Sequence, residues 1–225
     1  MNRVDLRQGD CLEVMKTMPD NSVDVVFTSP PYNRKRNDKY AEYDDTIEDY
    51  YKFLCDATNE LLRVCKKYVI INLQKNYYNK KEVFKYIGTY ADNITEIVIW
   101  EKTNPLPASG FSITNAYEMF IVLSKTPLKS NTTYTKNVIT TSVNSETTTK
   151  EHRAVMKQDV ADWFIEKFTK DGDIVLDCFM GTGTTGVSCR KYNRDFIGIE
   201  ICEKYFNIAK ERIEKAKNEG IYKRT

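Results

Sequence analysis

The chain has 225 residues, with 34 Lys and Arg against 32 Asp and Glu, for a net charge of +2. That length supports one substantial core with little room for an appended module, and the near balance of charge excludes bulk basicity as the route to a nucleic acid, so any such surface must come from local clustering. No apolar run reaches bilayer length, no signal peptide is evident, and the six cysteines form no C-x-x-C pair, which together predict a cytoplasmic protein with reduced thiols, no zinc site and no membrane partner.

In chain order, the first predicted strand, Val4 to Arg7, leads into Gly9-Asp10-Cys11 and a helix from Leu12 to Met18 that Asp10 is placed to cap. The second strand, Val23 to Thr28, runs directly into Ser29-Pro30-Pro31-Tyr32. Proline has no N–H and a fixed φ, and Pro31 forces Pro30 into an extended conformation, so this turn is rigid and presents free carbonyl oxygens at the end of a buried strand. A hydroxyl, an unpaired carbonyl and an aromatic ring on one stiff loop suit a planar, hydrogen-bond-donating group such as a nucleobase amine. On these four residues alone, an ordinary proline-rich strand exit explains the pattern equally well.

A polar stretch with three consecutive basic residues and a fourth at Lys39, Asn33 to Tyr40, follows. A helix from about Thr46 to Cys65 carries Ile47, Tyr50, Tyr51, Leu54, Leu61 and Leu62 near helical spacing, with Thr46 and Asp49 as a capping box. Strands are predicted at Tyr68 to Leu73, Ile94 to Trp100 and Met119 to Ser124, and the Thr-, Asn- and Ser-rich segment 125–150 has no regular pattern. A helix from Val160 to Phe168 precedes the strand Ile174 to Cys178, which enters Gly181-Thr182-Gly183-Thr184-Thr185-Gly186 and a helix opening at Thr184 or Thr185 and ending at Tyr192. The glycines match G-x-G-x-x-G: Gly181 and Gly183 allow a tight turn and close approach to a ligand, and Gly186 lets the helix lie near the strand. The last strand, Phe196 to Glu200, ends in a carboxylate placed as a ribose-hydroxyl acceptor, although a solvated strand-end acid has the same sequence. A helix from Cys202 to Lys217 closes the pattern.

With both motifs in view, the chain resembles the DNA amino-methyltransferases that use S-adenosylmethionine, in the class whose catalytic motif precedes the cofactor motif. Ser29-Pro30-Pro31-Tyr32 stands where that family has (Asp/Asn/Ser)-Pro-Pro-(Tyr/Phe). Asp177-Cys178-Phe179-Met180-Gly181-Thr182-Gly183-Thr184-Thr185 resembles Asp-Pro-Phe-x-Gly-Ser-Gly-Thr-Thr, with Cys178 and Thr182 as departures. The resemblance implies a single α/β domain over residues 1–225: a Rossmann-like, seven-stranded methyltransferase sheet with helices on both faces and permuted motif order. It implies catalytic Ser29, Pro30, Pro31 and Tyr32, and a cofactor site of Asp10, Cys11, Asp177, Phe179, Gly181, Gly183, Thr184, Thr185 and Glu200, with Asp10 beside the adenine. No metal is implied, because the leaving group is a neutral thioether.

Double-stranded DNA is the implied partner. Arg34, Lys35, Arg36 and Lys39 are expected to grip phosphates around an extruded nucleotide. The segment 125–150 occupies the family's target-recognition position, and a flexible connector is an equal reading of it. Trp100 to Pro105 and Asn115 to Glu118 resemble a block flanking the base pocket. His152-Arg153-Ala154 resembles the segment over the cofactor's methionine end, with a surface histidine as the simpler reading. Serine at the first motif position leans to cytosine N4, with adenine N6 as the alternative. The absence of a Pro-Cys dipeptide disfavours attack through a ring carbon. A nicotinamide-dependent oxidoreductase explains the glycine turn but leaves Ser29 to Tyr32 idle, and a non-catalytic accessory subunit leaves both motifs idle. A homodimer and a companion restriction endonuclease are further expected partners.

Overall fold

A computed structural model describes residues 2–34, 45–105, 113–126, 135–142 and 155–219, without the side chains of 217–219. Among the described residues, eight strands form one sheet in the order β1-β8-β7-β2-β3-β5-β4-β6. They are β1 (Val4–Gln8), β2 (Val23–Thr28), β3 (Cys65–Leu73), β4 (Ile94–Lys102), β5 (Tyr117–Leu123), β6 (Val138–Thr141), β7 (Ile174–Asp177) and β8 (Asp195–Glu200). Every pairing is parallel except those of β5 with β3 and β4. The helices are α1 (Cys11–Lys16), α2 (Tyr50–Val64), α3 (Lys80–Thr89), α4 (Gln158–Phe168), α5 (Thr184–Lys191) and α6 (Glu203–Glu219).

Alternation along the central strands sends side chains to two separate cores. Val69, Ile71 and Leu73 of β3 meet α1, α2 and α3 through Met15, Leu54, Leu61 and Tyr86. Ile70 of β3, with Phe27 and Phe120, faces the opposite core, which holds Phe164 of α4, Cys189 of α5 and Ile213 of α6. Helices therefore cover both faces, as an apolar parallel sheet requires.

The sequence reading needs three corrections. The sheet has eight strands rather than seven. The added one, β6, is a four-residue edge strand inside 125–150 whose exposed Val138 and Thr140 carry no burial signal. The helix α3 escaped prediction because its buried face reduces to Val83 and Tyr86 among charged residues and Gly88. Thr46 does not begin α2: Asp49 is the N-cap, and its carboxylate accepts from the Lys52 N–H at 2.9 Å.

The strand order fixes where a ligand can bind. From β7 the chain proceeds to β8 on one side, and from β2 it proceeds to β3 on the other, so the connections diverge between two neighbouring strands. In open α/β sheets, the crevice at the carboxyl ends of such a pair is the binding position.

Gly186 shows how tightly the glycine helix packs. A Cβ there would lie 2.4 Å from Ile213 Cδ1 and 2.8 Å from Phe196 Cε1. Helix propensity favours alanine over glycine by about 1 kcal/mol, yet overpacking costs about 1–3 kcal/mol. Gly186→Ala is therefore expected to lower the urea midpoint; an unchanged or raised midpoint would show that the contact relaxes freely.

Candidate active site

The two signature loops lie side by side because β2 and β7 pair directly, Val25 opposite Val175 and Val26 opposite Leu176. On the β2 side, the two carbonyls that follow Pro30 are engaged. Tyr50 donates its hydroxyl to the Pro31 carbonyl at 2.8 Å, and the Asn76 and Asn79 amides donate to the Tyr32 carbonyl at 2.8 and 2.7 Å. The Pro30 carbonyl receives no hydrogen bond from the described residues. Beyond Tyr32 the backbone turns through Asn33, which has φ of 48° and is 3 % exposed. Its side-chain amide donates to the Ile47 carbonyl at 3.0 Å and accepts from the Ile47 N–H at 3.1 Å.

A polar cluster lies against this loop. Ser29 Oγ is 3.0 Å from the Tyr32 hydroxyl and donates to Asn72 Oδ1 at 3.2 Å. The Tyr32 hydroxyl also bonds Asn72 Oδ1, and it lies 3.2 Å from Glu118 Oε2. The other Glu118 oxygen accepts from Lys102, an ion pair whose side chains are 7 % and 15 % exposed. Burial, reinforced by the Glu118 charge, pushes the Tyr32 phenol well above its ordinary value, so the hydroxyl stays protonated and acts as a donor. With Asn72 Oδ1 taking the Ser29 and Tyr32 protons, both lone pairs of Ser29 Oγ can accept. Asn72 Nδ2 is buried with no partner among the described residues. It is thus an unused donor beside the unused Ser29 and Pro30 acceptors.

On the β7 side, Asp177 organises the glycine loop. Its Oδ1 accepts from Thr28 Oγ1 at 2.7 Å and from the Phe179 N–H at 3.1 Å, and its Oδ2 accepts from Thr185 Oγ1 at 2.6 Å. Gly181 and Gly183 both have positive φ, 51° and 84°, which L-residues with side chains rarely adopt. A Cβ on Gly181 would meet nothing within 4 Å, so the loop borders open space there, whereas a Cβ on Gly183 would press on Ala209 at 3.0 Å. The Glu200 carboxylate accepts from the Gly181 N–H at 2.9 Å and the Cys202 N–H at 2.8 Å, leaving each oxygen a further lone pair. Burial raises the Glu200 carboxyl, and these backbone bonds oppose the rise.

Pairing of β1 with β8 and the bond from the Gly9 N–H to the Glu200 carbonyl at 3.0 Å bring Asp10 to the same rim. Asp10 caps α1, its Oδ1 accepting from the Leu12 and Glu13 N–H groups at 2.9 and 3.1 Å, while Oδ2 has no partner among the described residues.

The structure thus gathers Ser29, Pro30, Pro31 and Tyr32 with Asp10, Asp177, Phe179, Gly181, Gly183, Thr184, Thr185 and Glu200 along one edge. It places two predicted residues differently. The Cys11 side chain is 6 % exposed, in the core against Cys178, rather than open to a ligand. Arg34 stacks 5.4 Å from the Tyr32 ring centroid and donates to Gln74 Oε1 at 2.6 Å. Its guanidinium supports the loop, as Asp177 does from beneath. Lys35, Arg36, Lys39 and His152 lie outside the described residues. Sequence reasoning missed Asn72, Asn76 and Asn79, whose polarity within or just after an apolar strand was the available signal. It also missed exposed Ile201, which follows Glu200.

A sheet of this order, with a Ser-Pro-Pro-Tyr turn and a glycine-rich loop at its switch point, is the fold of a Rossmann-like methyltransferase. The family model described as DNA methylase, of N6 and N4 methyltransferases, matches residues 23–211, and the chain belongs to that family. It is 29 % identical over 248 residues to the type II methyltransferase M.HinfI of Haemophilus influenzae, covering 93 % of this chain and 68 % of that protein. Among solved structures, the cytosine-N4-specific PvuII DNA methyltransferase superposes with a TM-score of 0.78 at 18 % identity, covering 98 % of this chain and 93 % of that one. The M1.HpyAVI–SAM complex superposes with a TM-score of 0.65 at 22 % identity, covering 93 % of this chain and 98 % of that one.

Asp177 gives a pH test. Burial pushes its carboxyl up to about 6 from an ordinary 3.8, and its three hydrogen bonds only partly oppose the shift. A folded-state value above the unfolded one favours folding at low pH, and the contribution disappears as pH rises through about 6. Asp177→Asn keeps an acceptor for Thr28 and Phe179 and has no titration. The stability of wild type relative to Asp177→Asn is therefore expected to fall between about pH 4 and 6 in urea titrations; a rise across that window would contradict this assignment. Asp177→Ala strands three donors and is expected to cost at least about 2 kcal/mol.

Proposed function

We propose that the chain transfers a methyl group from S-adenosylmethionine to the exocyclic amine of a base in double-stranded DNA, with cytosine N4 as the preferred target and adenine N6 as the alternative. The observation that carries this reading is the pairing of β2 with β7, which sets the free Ser29 and Pro30 acceptors beside the glycine cradle. The name of the PvuII neighbour and the serine at position 29 favour cytosine.

The residues present fit the cofactor. Gly181 borders open space without a side chain to fill it, Glu200 retains lone pairs for ribose hydroxyls, and Asp10 Oδ2 is available to an adenine amine. Ile201, 50 % exposed beside Glu200, offers an apolar face to the adenine ring. Asp177, Thr184 and Thr185 are buried, and Asp177 and Thr185 act by holding the loop in shape. When bound, the cofactor supplies an electrophilic methyl group on a sulfonium.

The amine of a nucleobase is conjugated into its ring, and its lone pair attacks poorly while planar. Ser29 Oγ and the Pro30 carbonyl accept one amine hydrogen each, which orients the nitrogen and eases its departure from planarity. Held by Asp10, Glu200 and the Gly181–Gly183 turn, the cofactor would supply its methyl group to the nitrogen that Ser29 and Pro30 orient and would keep the sulfur electron pair as a neutral thioether, while the amine would release one proton to solvent. A paired base is out of reach, so the target must leave the duplex and stack on Tyr32, whose ring partly offsets lost stacking of roughly 1–3 kcal/mol. The Lys102–Glu118 ion pair lies beside the Tyr32 hydroxyl and offers its proton a second acceptor in Glu118 Oε2.

A homodimer and a companion endonuclease remain part of this reading, and sedimentation with and without DNA tests the first. The function is tested with labelled S-adenosylmethionine and genomic DNA. Wild type is expected to transfer label. Ser29→Ala, which removes an acceptor used in the transition state, is expected to lower kcat by about 10²-fold or more with cofactor affinity unchanged. Full activity in Ser29→Ala would remove that residue from the chemistry, and absence of transfer by wild type to any DNA would reject the acceptor class.

A further inference from the structure

Resting on the DNA-methylating function above, we infer that the segment Gln74 to Lys81, the loop between β3 and α3 with the first two residues of α3, is a DNA-contacting element, its two tyrosines packing on bases unstacked around the extruded nucleotide and its lysines meeting phosphates. The loop reads Gln-Lys-Asn-Tyr-Tyr-Asn-Lys-Lys. Tyr77 and Tyr78 are 69 % and 50 % exposed, their rings edge to face at 5.3 Å, touching each other rather than the core. Large exposed aromatics set side by side are a cost to a soluble surface unless a partner covers them. Lys80 and Lys81 are exposed, Lys75 is half-buried, and no carboxylate among the described residues lies within 4 Å of any of the three ammonium groups. Lys80 sits 5.7 Å from the Tyr77 ring centroid. Aromatic faces interleaved with unpaired cations match unstacked bases and a phosphate chain.

Position strengthens the inference. The loop is bonded to the catalytic turn through the Asn76 and Asn79 amides on the Tyr32 carbonyl, and through Gln74 on Arg34. It is held in turn by Asn115, whose amide donates to the Lys75 carbonyl at 3.1 Å. Internal bonds from the Asn76 N–H to Asn79 Oδ1 at 2.7 Å and from the Tyr78 N–H to Asn76 Oδ1 at 2.8 Å fix its shape. The aromatic pair is therefore presented by a hydrogen-bonded loop beside the turn that the target base must reach, so the backbone that carries it is ordered before binding.

The test compares wild type, Tyr77→Ala/Tyr78→Ala and Lys80→Gln/Lys81→Gln. It uses a labelled 30-base-pair duplex of random sequence at several salt concentrations, genomic DNA as methyl acceptor, and calorimetric cofactor binding as a control for folding. The lysine variant is expected to weaken binding to the random duplex and to lower the slope of log affinity on log salt by about 2. The tyrosine variant is expected to bind that duplex nearly as wild type does, yet to lose about tenfold or more in kcat/KM on genomic DNA, because stacking is made only with an opened duplex. Wild-type kinetics in the tyrosine variant, or a wild-type salt slope in the lysine variant, would overturn the inference while leaving the methyltransferase reading standing. Failure of wild type itself to bind or methylate DNA would remove both together.

Discussion

The hydrogen bond between Thr28 and Asp177 is the joint on which the site depends. Thr28 is the last residue of β2 and Asp177 the last of β7, both almost fully buried, and the same carboxylate continues to Thr185 at the start of α5 and to the Phe179 N–H. One side chain therefore couples the end of the catalytic strand, the end of the cofactor strand and the first turn of the glycine helix. A carboxylate buried this way resists ionisation, and the site tolerates that cost because three donors converge on it. Since β2 and β7 are neighbours from which the chain departs in opposite directions, the same joint lies at the floor of the crevice.

Above that floor, the problem is one of hydrogen-bond direction. In the proposed reaction the Ser29 hydroxyl accepts from an amine, which requires its own proton to be committed elsewhere. Asn72 Oδ1 takes the Ser29 proton and that of Tyr32, for which Glu118 Oε2, paired with Lys102, is the competing acceptor. The backbone receives the same treatment: Tyr50, Asn76 and Asn79 occupy the Pro31 and Tyr32 carbonyls, which leaves the Pro30 carbonyl open. Rigid proline geometry and satisfied neighbours together preorganise two acceptors before any substrate arrives.

The elements that position chemistry were legible in sequence because their signals are local. Val23 to Thr28 followed by two prolines, and Ile174 to Asp177 followed by spaced glycines, each state a strand and a constrained turn within a dozen residues. What stayed hidden depends on distant partners. Asn72 reads as an oddity in an apolar strand until Ser29 and Tyr32 fold onto it, and the two blocks that contain Lys102 and Glu118 were singled out by resemblance without their ion pair being visible. The stacking of Arg34 on Tyr32 and its bond to Gln74 were invisible in a run of charge. Edge strand β6 and helix α3 bury too little to impose a period. The burial of the Cys11 side chain in the core is likewise set by partners distant in sequence.

The most direct measurement is mass spectrometry of nucleosides from DNA incubated with the protein and S-adenosylmethionine carrying an isotopically labelled methyl group. Two neutral acceptors arranged around an exocyclic nitrogen predict label on an amine, as N4-methylcytosine in the first instance, with N6-methyladenine preserving the mechanism and changing only the base. Label on a ring carbon, as in 5-methylcytosine, or no labelled nucleoside despite cofactor binding, would contradict the account.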